Sequence, residues 1–313
     1  MVKLLKSGWE YTKGIRRYLI GLYVLNLLIS LALAGIISDA IARSVGKSTV
    51  AYELVDRFAP LWYQEFSQQA TGLLKSFQPS ISGIGGILDG LEGLLTGHPF
   101  RAFPGLLALG ITYILLWVVF AAGSIGKMAG EGELHFWEAI GKYAIRFAAL
   151  TALAGIGYYL ILGQLLPFLS ETIKRVTREV TDARIIFYWT VLKYLVVWTL
   201  AGWIFFALDV ARIVTVQRHR RMVPLAFVEG MFWVVRHPVK ILTLAIFWLF
   251  LAGLGMVVYA FIAPGAQGGS LGMILATFLV GQVYLWYRMV LRLWLWGSEI
   301  ALCKTLASTA LDH

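Results

Sequence analysis

Cysteine is almost missing: the single Cys303 in 313 residues excludes a disulfide framework and a cysteine-based zinc site. A lone cysteine of this kind reads as a small packing residue. Charge is also scarce, at 14% of residues against about 25% in soluble domains. The five histidines, His98, His135, His219, His237 and His313, show no metal-ligand spacing, and His98 and His237 simply precede proline. They support neither a metal site nor a bis-histidine haem site. No serine sits in G-x-S-x-G, and Lys47 in Gly46-Lys47-Ser48 lacks the upstream glycine of a phosphate loop. The apolar runs described next offer no pair of carboxylates for acid-base work. These absences predict a protein that is not an enzyme and uses no metal or cofactor.

What is abundant is apolar surface. Hydrophobic residues make up 59% of the chain, against roughly 45 to 50% in soluble domains, more than a soluble fold can hide. Six apolar runs stand out: Tyr18 to Ser38, Ala102 to Ile125, Phe147 to Leu169, Ile185 to Ala211, Ile241 to Ile262 and Leu271 to Trp296. Each is long enough to cross about 30 Å of hydrocarbon as a helix. Helix is expected because lipid leaves no water for unbonded backbone groups, and the ten-residue alternation of a barrel is missing. The first run is too long for a cleavable signal peptide and reads as a retained span. The expected fold is therefore all-α: a polytopic membrane protein with six transmembrane helices.

Orientation follows from the cations. With the N-terminus inside, 17 Lys and Arg fall on inner segments and nine on outer loops, where acidic residues nearly cancel them. Both termini are expected to be cytoplasmic. The basic stretch Arg218-His219-Arg220-Arg221 then reads as a topology determinant beside anionic lipid. It lacks the aromatic interleaving of an RNA-binding surface, so nucleic acid is not an expected partner despite a net charge of +10. Compact size and short inner loops favour a bacterial inner membrane.

Three spans are preceded by similar segments. In residues 1–17, Lys3, Lys6, Lys13 and Arg17 recur at helical spacing around Glu10, with Val2, Leu5 and Trp9 on another face, the pattern of an interfacial helix. Within 131–146 the sequence reads Phe136-Trp137-Glu138-Ala139-Ile140; within 222–238 it reads Phe227-Val228-Glu229-Gly230-Met231. A basic residue follows each glutamate by seven or eight positions: Arg17, Arg146 and Arg236. Three copies of one unit are expected, each a cytoplasmic interfacial helix followed by a transmembrane hairpin. This plan resembles that of poorly characterised bacterial six-span proteins similar to the membrane domain of glycerophosphodiester phosphodiesterases. The resemblance implies architecture alone: no catalytic residue carries over, and the sequence shows no soluble phosphodiesterase domain.

The longest connection, residues 39–101, is expected to form a helical outer cap. Trp62, Phe66, Ala70, Leu73 and Phe77 recur at three or four, until Gln78-Pro79 stops the pattern. Gly83, Gly86, Gly90, Gly93 and Gly97 then repeat at three, four, three and four. Such a stripe lets helices approach closely. A flexible glycine-rich loop is the other reading.

Polar residues inside spans are costly and mark candidate pathways. Lys193 and Gln164 lie at similar depths in spans four and three, where they either share a pocket or are merely a snorkelling cation and a structural amide. Asn26 and Gln282 suit interhelical hydrogen bonds, and Asp209 with Arg212 suits a local ion pair. Arg288 and Arg292, among Trp286, Tyr287, Trp294 and Trp296, read as an aromatic belt with snorkelling cations or as a lipid-headgroup site. Two functions follow as expectations. One is a non-enzymatic membrane protein that binds or helps move lipid or another hydrophobic molecule. The other is an accessory subunit packed against a larger membrane complex, for which Ala122, Gly126 and Gly130 add a second small-residue stripe.

Overall fold

The computed structural model describes residues 2–46, 49–56, 59–77, 92–93, 107–130, 134–263 and 271–309. Every regular element among them is helical. In chain order they are α1 (Val2–Lys13), α2 (Arg16–Val45), α3 (Val50–Asp56), α4 (Pro60–Gln69), a 3₁₀ turn (Gly72–Ser76), α5 (Leu107–Ala129), α6 (Phe136–Tyr158), a π-helical turn (Tyr159–Leu165), α7 (Leu166–Val176), α8 (Ala183–Gln217), α9 (Val223–Arg236), α10 (Pro238–Ile262) and α11 (Leu271–Thr309). Six stretches are long and apolar enough to cross a membrane: α2, α5, α6 continued through α7, α8, α10 and α11. The count and order of the six apolar runs are those expected.

The segment around Glu138 differs from expectation. It is not a separate interfacial helix but the first turns of α6, which continues without a break towards Val176. A capping box fixes its start, with the Glu138 carboxylate accepting from the His135 amide at 3.0 Å. Further along, the π turn immediately precedes Pro167. Proline has no N–H to offer the carbonyl of Gly163 and clashes with it, so the helix widens locally instead of closing a regular turn.

The chain forms two compact units. One comprises Met1–Gly14, Ile114–Phe247 and Leu293–His313; the other comprises Ile15–Tyr113 and Trp248–Arg292. The core of the first unit is built on the later parts of α5, α8 and α11. Ala121 to Gly126, Phe206 to Val216 and Leu295 to Cys303 are buried at every position. Ser124, Asp209 and Glu299 are the corresponding polar residues of the three runs, each fully buried and each followed by a buried aliphatic residue, Ile125, Val210 or Ile300.

Against each run a second helix crosses at a small residue. A Cβ at Gly8 of α1 would meet Ser298 Oγ at 2.5 Å, and one at Gly297 would strike the Gly8 carbonyl. A Cβ at Gly126 of α5 would meet Ala139 Cβ at 2.6 Å, and one at Gly123 the Phe136 ring at 2.5 Å. On α9, a Cβ at Gly230 would strike the Ala207 carbonyl and lie 3.0 Å from the Ala211 amide. Small residues thus permit three close backbone approaches. The crossing helices match in a further way: five residues after Glu10, Glu138 and Glu229 stand Ile15, Tyr143 and Val234, all buried. Ala122 and Gly126 are therefore occupied within the unit and give no support to an outside partner.

In the second unit, α2 and α11 are joined by a hydrogen bond from Tyr23 Oη to Gln282 Oε1 at 3.0 Å, the interhelical role expected of that glutamine. Asn26 is buried on α2. Trp62, Phe66 and Ala70, three residues of the repeating apolar pattern, form a buried cluster with Ala59, walled by Ile41, Val45, Leu54 and Phe77. Trp62 stacks on Phe66 at 5.3 Å between ring centroids and donates its Nε1–H to Ser44 Oγ at 3.2 Å. The helix stops at Gln69, earlier than Gln78-Pro79, where Ala70 and Thr71 turn to extended backbone, and Gly72 at φ +55° then opens the 3₁₀ turn. Of the glycine stripe, Gly83, Gly86, Gly90 and Gly97 lie outside the described residues, while Gly93 is helical and buried.

Candidate functional site

Within the first unit, the clearest concave surface lies where α8 gives way to α9. Helix α8 ends at Gln217, and His219 takes φ +48°, a left-handed conformation that costs a residue with a Cβ on the order of 1–2 kcal/mol. Two contacts from α6 brace the loop. Tyr143 Oη lies 3.3 Å from His219 Nδ1, and Arg146 Nη1 donates to the Arg220 carbonyl at 3.4 Å. Pro224, in the first turn of α9, starts the next helix where its missing N–H has no cost.

The resulting pocket is lined by Arg218, His219, Arg220, Arg221, Met222 and Leu225. Glu229, one turn further along, accepts a hydrogen bond from Arg218 and lies 3.7 Å from Arg220 Nη2. Two of the three guanidinium groups, those of Arg218 and Arg220, thus share one nearby carboxylate. Helix α9 buries Ala226, Gly230 and Val234, and leaves Leu225, Val228, Phe232 and Val235 exposed at spacings of three, four and three. Cations at the head of an exposed apolar stripe are suited to an amphiphilic anion.

A second, more apolar groove in this unit is formed by Val2, Leu5, Lys6, Trp9 and Trp294. The two indoles meet edge to face at 5.4 Å, and Trp294 Nε1 donates to the Leu5 carbonyl at 2.8 Å, fixing α1 on α11.

Deeper in the unit lies a closed polar network. Arg212 Nη1 donates to Asp209 Oδ1 at 3.1 Å and Nη2 to Thr151 Oγ1 at 2.9 Å, while Trp296 Nε1 reaches the same Asp209 oxygen at 3.2 Å. Asp209 is 0% exposed. The ion pair was legible from the spacing; Thr151 and Trp296 were not, because contacts between α6, α8 and α11 leave no mark in sequence. Glu299 lies three residues beyond the expected end of span six, so its complete burial was missed as well.

Lys193 and Gln164 have separate partners. Lys193 donates to Ser170 Oγ at 3.2 Å and sits 4.4 Å from the centroid of the Tyr194 ring. Gln164, exposed on the π turn, donates to Tyr159 Oη at 3.1 Å. In the second unit, Arg288 is exposed and stacks 5.9 Å over the Tyr284 ring, and Arg292 lies half-buried one turn later. Among the described residues, no group of three His, Cys, Asp or Glu is placed to hold a metal ion. No family model, characterised protein or solved structure matches the chain.

Proposed function

We propose that this chain is a non-enzymatic multi-pass membrane protein that binds or helps move lipid or another hydrophobic molecule. The observation that carries this reading is the pocket at Arg218 to Leu225, where cations and exposed apolar side chains line one concavity. Further support comes from the apolar groove beside Trp9 and from the exposed Leu249, Phe250 and Phe261 on α10, side chains suited to acyl chains rather than water. The excess of Lys and Arg on alternate connections supports a cytoplasmic position for both termini and for the pocket, and compact size with short inner loops favours a bacterial inner membrane.

A second reading, an accessory subunit of a larger membrane complex, is favoured by one observation. A Cβ placed at Gly21 or Gly35 on α2, or at Gly272 or Gly281 on α11, would meet nothing within 4 Å. Open glycines on a span are where another helix approaches closely. Purification in mild detergent followed by native mass spectrometry separates the two readings. Lipid retained on a monomer supports the first and a stoichiometric foreign subunit the second; a bare monomer counts against both.

A further inference from the structure

Resting on the lipid-binding reading, the geometry points to an anionic phospholipid as the occupant of the Arg218–Leu225 pocket, its phosphate on Arg220 and Arg221 and an acyl chain along Leu225, Val228 and Phe232. Three features of the molecule select this class. First, the cations are arginines, whose planar forks match phosphate oxygens in pairs, where a lysine would offer only a point charge. Arg218 and Arg220 are held near Glu229 and Arg220 is braced through its carbonyl by Arg146, so part of the cost of ordering those side chains is met before any ligand arrives. Arg221 is exposed on the rim.

Second, the pocket begins one residue after Gln217, the last residue of a helix long and apolar enough to span the membrane. A pocket beyond the apolar run would face the headgroup side of the bilayer, where each cation strengthens binding to anionic lipid. Third, the apolar side of the pocket is continuous with the exposed stripe of α9. Met222 is 69% exposed and Phe232 is 71% exposed. A free phosphate would use the arginines and leave this stripe unused; a neutral lipid would use the stripe and leave the pocket's net positive charge, three arginines against Glu229, unmatched.

The full chain in mild detergent is titrated with phosphatidylglycerol or phosphatidylcholine and read by native mass spectrometry. The wild type is expected to prefer the anionic lipid by roughly tenfold or more, since removing two cations at about 1 kcal/mol each is worth more than a factor of ten. R220Q/R221Q should lose most of that preference. R175Q/R178Q, which removes the same charge from another exposed site, should keep it. If the double variant unfolds, R221Q alone serves, because Arg221 is exposed, and it should lose about threefold or more. M222S/L225S should weaken binding of phosphatidylglycerol, and millimolar inorganic phosphate should not displace it.

Equal affinity for the two lipids, or an unchanged preference in R221Q, overturns the assignment. Displacement by inorganic phosphate together with indifference to M222S/L225S overturns it in favour of a free-anion site. Retention of lipid without headgroup preference refutes this inference alone and leaves the broader lipid-binding reading standing. Failure to retain any lipid refutes both.

Discussion

Replacing Asp209 by asparagine isolates the electrostatics of the buried network from its shape. Asparagine keeps an oxygen for Trp296 Nε1 and occupies nearly the same volume, but it removes the negative charge 3.1 Å from Arg212 Nη1. The surroundings decide the magnitude. An ion pair at this spacing on a wet helix surface is worth only about 0.2–0.5 kcal/mol. Here the two side chains are 0% and 7% exposed, and the guanidinium lies 5.7 Å from the centroid of the Phe147 ring. Taking the carboxylate charge from such a site removes the nearest counter-charge of a buried cation, at a cost of up to about 3–5 kcal/mol. Thr151 continues to accept from Nη2 and holds the side chain in place, which prevents an easy escape to water. D209L/R212M removes both charges at similar volume and should recover most of the loss, since buried pairs often exchange for apolar residues at no net cost. Unfolding in mixed detergent, followed by tryptophan fluorescence, measures both variants, with Trp296 reporting from within the network. A D209N cost below about 1 kcal/mol, or a double variant no more stable than D209N, would refute the argument from burial.

Four other substitutions test the packing and the titration of His237. Gly230→Ala should destabilise by roughly 1–3 kcal/mol, because its Cβ meets helix backbone at Ala207 and Ala211 that cannot yield. Gly202→Ala on α8, where the added carbon meets nothing within 4 Å, should instead be neutral or stabilise by up to about 1 kcal/mol; equal effects in the two melts would sink the crossing argument. Trp62→Ala should cost the Trp62–Phe66–Ala70 cluster about 3–5 kcal/mol locally, seen as faster proteolytic cleavage within residues 59–77 while helices of the other unit stay protected. The pKa of His237 is lowered by burial first, then by the charges of Lys240 and Arg236. The folded protein therefore binds this proton less readily than the unfolded chain, and the contribution of neutral His237 is lost as pH falls below about 6.5. H237N should flatten the acid limb of stability below that pH; an unaltered limb would show that His237 does not titrate differently on folding.

The glycine crossings show where sequence reading stopped. The repeated glutamate and the small residue beside it were visible at Ala139 and Gly230, but the third crossing uses Gly8, two positions before Glu10. Its counterpart became apparent only once Gly297 was seen against it. The early stop of α4 at Gln69 was likewise hidden, since nothing in the apolar period marks Ala70 and Thr71 as the residues that leave helical backbone. The arginine loop was visible as charge, but charge alone fitted a topology signal. Its pocket depends on Tyr143 and Arg146 from a helix more than 70 residues earlier in the chain.

Composition and run length by themselves determined that the chain is helical and has six segments able to cross a membrane. Those properties are sums along the chain: each 20-residue window either can or cannot remain in hydrocarbon, whatever its neighbours do. Tertiary structure alone decided which polar residues meet. Asp209, Arg212, Thr151 and Trp296 come from three helices, and Arg220 is braced by Arg146 of α6, the same helix that carries Thr151. Such contacts arise from where helices cross, and a crossing is fixed by the joint fit of two surfaces, which neither sequence carries by itself.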